Sequence, residues 1–131
     1  MNELAKEIKP VIDISLIPPE NMEPIWEDVS KILKRATKRS YGRMSVVDIH
    51  NNLIDETSQL WIVFNTETLK VIGCTITHFQ EYPTGLKMLN INILAGKAME
   101  KWAKSGLELL YSWAKDNHCD GIEFISRPGF W

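Results

Sequence analysis

The sequence predicts an α/β domain in which a mixed, mostly antiparallel central sheet is flanked by helices. Three features carry this expectation. Strand-like apolar runs joined by short turns fill the middle of the chain, helical periodicity flanks them, and a last apolar run follows the longest helix. With 131 residues, 44% of them hydrophobic, the chain suits one domain spanning residues 1–131.

The first strand is expected from Val11, Ile12, Ile14, Leu16 and Ile17, a β-branched run closed by Pro18 and Pro19. Ile25, Val29, Ile32, Leu33 and Ala36 then recur at helical spacing, with Pro24 near the start, so a helix should end near Thr37. Ser45 with Asp48 three residues on forms a capping-box-like start for a short helix through Val46, Val47, Ile49, Leu53 and Ile54. Runs over 60–64 and 71–79 flank the turn-forming Asn65 to Thr68 and should pair antiparallel. After Pro83, Thr84 and Gly85 comes a strand over 86–94, with Leu89, Ile91 and Ile93 on one face and Met88, Asn90 and Asn92 on the other. The strongest helix runs from about 99 to 117, its apolar face traced by Trp102, Ala103, Gly106, Leu109, Leu110, Trp113 and Ala114. Residues 122–125 read as a final buried strand.

Composition excludes several classes. A formal net charge of -2 with 24% charged residues argues against disorder and gives no global bias toward nucleic acid. The first ten residues lack the apolar core of a signal peptide, and no stretch approaches a membrane helix. Cys74 and Cys119 have no ligand-type spacing, so a reduced cytoplasmic setting is expected. His50, His118 and Cys119 fall on different elements, so no metal is expected.

The element order and the sequence from Leu109 to Ile125, with Trp113-Ala114-Lys115 and a strand after Gly121, resemble the GNAT family of N-acetyltransferases over about 11–131. In that family the strand before the long helix binds the pantetheine arm of acetyl-CoA through its backbone, and the helix start holds the pyrophosphate. The family motif is Arg/Gln-x-x-Gly-x-Gly/Ala, followed by an aliphatic pair. If Leu109 and Leu110 are that pair, the motif falls on Lys101, Trp102, Ala103, Lys104, Ser105 and Gly106. Gly106 matches, whereas Lys101 and Lys104 replace Arg/Gln and the central Gly. A second register places the loop at Ala95, Gly96 and Lys97. The resemblance thus implies acetyl-CoA as cofactor, with Leu94, Lys101, Lys104, Ser105 and Gly106 as its binding residues, and an amine on a small molecule or protein as substrate.

Acetyl transfer needs a base and backbone amides that polarise a thioester carbonyl. Glu81, at a strand end, is the candidate catalytic residue, with His78 on the same strand as the other choice; as plain structure, one is a solvated turn carboxylate and the other a satisfied strand histidine. The family's usual leaving-group tyrosine follows the last strand, and the sequence offers no counterpart before it stops at Trp131. Phe130 and Trp131 either fold onto the core or pack on a partner or second copy as a homodimer. Lys31, Lys34, Arg35, Lys38, Arg39 and Arg43, with Tyr41 among them, form a local basic face, solvated or turned to an acidic partner. Two functions stand: an acetyl-CoA-dependent N-acetyltransferase, or a non-catalytic interaction or structural protein on the same fold, as among shortened bacteriophage versions such as virion components.

Overall fold

Proline governs how the first strand gives way to helix. The computed structural model of the chain describes residues 11–38 and 45–124. Strand β1 (Ile12–Ile17) stops at Pro18, and two 3-10 turns, Pro19–Asn21 and Glu23–Ile25, carry the chain into α1 (Trp26–Thr37). Pro24 sits in the second turn, where its missing N–H breaks no helical bond. Helix α2 (Val46–Ile54) opens as its sequence implies, since the Ser45 hydroxyl accepts from the Asp48 amide at 3.1 Å.

Strands β2 (Gln59–Asn65), β3 (Val71–Glu81) and β4 (Lys87–Gly96) follow in two hairpins. In the first, the Asn65 side chain accepts from the Glu67 and Thr68 amides at 2.8 and 2.9 Å, and this local cap sets the turn. Helix α3 (Met99–Asp116) then crosses to β5 (Gly121–Phe124). The sheet order is β1-β2-β3-β4-β5, antiparallel except for the parallel β4–β5 pair that α3 connects.

Alternation along the strands divides the core into two layers. Leu60, Ile62, Cys74 and Ile76 face Val29 and Leu33 of α1 and Ile49 and Leu53 of α2. Trp61, Leu89 and Ile91 face Leu110 and Ala114 of α3. Two expectations are corrected. Ile93 does not share a face with Leu89 and Ile91 but packs in the α1/α2 layer, because a bulge interrupts the alternation between them. The last strand is not fully buried over its described residues: Phe124 is 47% exposed at the sheet margin. Residues Arg39, Tyr41, Arg43, Ile125, Phe130 and Trp131 lie outside the described residues.

Cys74 is fully buried among aliphatic side chains, and that burial pushes its thiol up to about 12. Cys119 is half-buried, and burial raises it as well. The folded state therefore keeps the Cys74 proton where the unfolded chain has released it. The stability this gives is complete below the ordinary thiol value of 9.0 and is lost as pH rises from there toward about 12. With Ellman's reagent at pH 8 the native protein should react through Cys119 alone, Cys74 appearing only in denaturant. In urea titrations the wild type should lose more stability between pH 9 and 11 than Cys74→Ala does. Fast native labelling of Cys74 would contradict this burial.

Candidate active site

A one-residue slip in the sheet sets up the site. Ile76 of β3 stands opposite Ile93 of β4, while the next residue, Thr77, stands opposite Ile91, so Asn92 is an extra residue on β4. Such a bulge twists its strand and takes a residue out of the ladder. Beyond it His78 pairs with Asn90, and both lie on the α1/α2 face because His78 is two residues from Ile76.

These side chains are wired together. His78 Nδ1 lies 3.0 Å from Asn92 Oδ1, and since a carboxamide oxygen only accepts, Nδ1 carries the proton. Nε2 is then the basic nitrogen, and Asn90 Nδ2 donates to it over 3.5 Å, the outer limit of a hydrogen bond. Asn90 is only 4% exposed, yet its Oδ1 has no hydrogen-bond partner among the described residues. Leaving such a buried acceptor unmet costs about 1–3 kcal/mol. Glu123 of β5 stands opposite Asn90 in the parallel register, and the Tyr82 hydroxyl donates to its carboxylate. That hydrogen bond, first, and the carboxylate's charge raise the Tyr82 phenol above its ordinary value.

The second part of the site lies further along β4. Pairing with β5 ends at Ile91 opposite Phe124, and β4 continues to Gly96 with no strand on that edge among the described residues. Gly96 stands opposite Gly73. A Cβ on Gly73 would sit 2.7 Å from Trp102 Cζ2 and 2.9 Å from the Ala95 carbonyl oxygen, so only glycine lets α3 approach this closely. Trp102 Nε1 also donates to the Lys97 carbonyl at 2.8 Å, fixing the turn into α3. That turn uses Gly96 at φ 140° and Ala98 at φ 55°, and no side chain caps the helix. Its first-turn amides thus form a positive, uncapped terminus with Lys97, Lys101 and Lys104 exposed around it.

The structure brings some of the expected residues together and separates others. Leu94 lies on β4 opposite Thr75, and Lys101, Lys104 and Ser105 are exposed in the first two turns of α3. Gly106 is buried deeper in the helix, where a Cβ would lie 3.2 Å from Ile14 Cδ1. Glu81 is exposed at the far end of β3, opposite Lys87, and β4 runs about 30 Å from there to Gly96 at ~3.3 Å per residue. Asn90 and Asn92 are candidate residues that sequence reasoning had left unassigned. The signal was present, since two Asn in mid-strand oppose β-propensity.

No protein-family model matches the chain, and no curated protein matches it in sequence. Solved structures do match. Ribosomal-protein-alanine N-acetyltransferase from Brucella melitensis biovar Abortus 2308 superposes with a TM-score of 0.68 at 14% identity, over 91% of this chain and 82% of that one. A GNAT family acetyltransferase from Staphylococcus aureus subsp. aureus gives 0.64 at 14% identity, over 93% of each chain. An aminoglycoside acetyltransferase from an uncultured soil metagenomic sample, in complex with trehalose, gives 0.65 at 10% identity, over 92% of this chain and 80% of that one. The fold is the GNAT acetyltransferase fold.

The close approach at Gly73 is directly testable. Gly73→Ala should cost about 1–3 kcal/mol in urea unfolding, as overpacking does, and should loosen Trp102. An unchanged midpoint would show that the indole does not rest on this glycine.

Proposed function

We propose that this protein is an acetyl-CoA-dependent N-acetyltransferase acting on an amine of a small molecule or protein. The observation that carries the reading is the edge of β4 that no strand among the described residues covers, running from the bulge at Asn92 to the uncapped start of α3. Residues 92–96 span about 13 Å at ~3.3 Å per residue. A pantetheine arm counts about twelve bonds from phosphate oxygen to sulfur, roughly four residues' worth of extended chain, so it matches this edge in length. Its two amides suit the backbone of a strand edge without a neighbour among the described residues, Leu94 included. The diphosphate fits the amides of the α3 start, with Lys101 and Lys104 as point charges and Ser105 at the rim. Gly106 supports this indirectly, by letting α3 lie close to Ile14.

Acetyl-CoA, when bound, supplies the thioester as acetyl donor. A bulge takes a residue out of the ladder, and in this reading a backbone amide freed there donates to the thioester carbonyl oxygen, which lowers the barrier to acyl transfer. Of the two candidate bases, His78 suits the geometry better than Glu81. His78 is tied to the bulge through Asn92, whereas Glu81 stands at the other end of β4. In this reading Asn92 holds the Nδ1–H tautomer, and Nε2 receives the proton that the amine loses as the C–N bond forms and the thioester C–S bond breaks, the leaving thiolate taking a proton from solvent. A cytoplasmic setting fits an acetyl-CoA-dependent activity. Among the described residues no helix is long and apolar enough to cross a membrane.

Millimolar acetyl-CoA should raise the melting temperature, and Lys101→Glu combined with Lys104→Glu should reduce that shift. Thiol release during incubation with a panel of primary amines should identify an acceptor, and His78→Gln should slow that release about a hundredfold. The absence of a thermal shift with acetyl-CoA would sink the reading.

A further inference from the structure

We infer that Asn90 positions the acceptor amine, its Oδ1 receiving an N–H of the amine bound beside His78. The inference deepens the acetyltransferase reading and rests on it for the identity of the reaction, but its structural premise is independent. A carboxamide 4% exposed, with its oxygen unmet among the described residues, weakens the fold it sits in. On its own face Ile76 and Ile93 are buried aliphatics, so the α1/α2 layer accommodates apolar side chains at this depth. What asparagine contributes at position 90 is therefore not stability.

The orientation of the group is also fixed. Asn92 Oδ1 takes the His78 Nδ1–H at 3.0 Å, His78 Nε2 takes an Asn90 Nδ2–H at 3.5 Å, and the opposite end of the Asn90 carboxamide is the unmet oxygen. An oxygen of this kind binds only donors. A neutral primary amine carries two N–H groups and a lone pair; with one N–H on Asn90 Oδ1 and the other displacing the long Asn90 Nδ2–H contact at His78 Nε2, the lone pair is free to attack. A carboxamide suits this task better than a carboxylate, because a negative charge would hold the ammonium form, which has no lone pair.

The first measurement needs no cofactor. Asn90→Leu should melt at or above the wild-type temperature; a fall of about 4 °C or more, the scale of a lost buried hydrogen bond in a domain this size, would mean that Asn90 serves the fold and would overturn the inference. In ¹⁵N-labelled wild type, methylammonium chloride should move the Asn90 side-chain cross-peak, while tetramethylammonium chloride, which has no N–H, should not. An equal response to both salts, or none to either, would also overturn it. If methylammonium acts but acetyl-CoA gives no thermal shift, the positioning role stands and the acetyltransferase reading falls. Where an amine is turned over, Asn90→Asp should lower KM and kcat together, a split that a packing role does not produce. A change in kcat with KM untouched would contradict amine contact.

Discussion

The contact of Trp102 with Gly73, which stands opposite Gly96, is the constraint on which the candidate site depends. It brings the end of β4, the neighbouring residue of β3 and the first turn of α3 to one point, and two glycines are needed because any Cβ there meets the indole or backbone. The same ring binds the Lys97 carbonyl, so one side chain fixes both the depth of the helix and the turn that leads to it. Burying an indole removes ~150–250 Å² from water, worth roughly 4–6 kcal/mol at about 25 cal/mol per Å² before entropic costs. That is enough to hold Ala98 at a positive φ, which costs about 1–2 kcal/mol in an alanine. The helix start is consequently set by packing rather than by a glycine-rich loop.

Near the middle of β4 the bulge plays the corresponding part. One extra residue moves Ile93 into the α1/α2 layer and leaves Ile91 in the α3 layer, keeping both cores filled. It also sets Asn92 within reach of His78, so a local irregularity in the ladder is turned into an oriented imidazole. The edge proposed for the cofactor lies on β4 and the proposed proton acceptor, His78, on the neighbouring β3, and Asn92 at the bulge joins the two.

Much of the fold was legible in the sequence because its signals are local. Periodicity gave the elements and their order, Ser45 and Asp48 announced the start of α2, and Pro18 ended β1. The start of α3 near Met99 was legible too. The bulge was not, because residues 88–93 alternate without interruption and a single inserted position leaves no trace in a period of two. His78, Asn90 and Asn92 could not be joined without that register. The contact of Trp102 with Gly73 spans the chain from β3 to α3, and aligning Lys101 to Gly106 with a family motif gave no hint that Trp102 would be the anchor. Gly106 also lets α3 pack on Ile14, a contact that its place in the motif does not announce.

The central claim, that acetyl-CoA lies along β4 between Asn92 and the start of α3, is best tested by amide hydrogen exchange with and without the cofactor. Protection should appear in residues 92–101 and leave the β3–β4 turn around Pro83 unchanged. Protection confined to other segments, or absent altogether at saturating acetyl-CoA, would contradict the account.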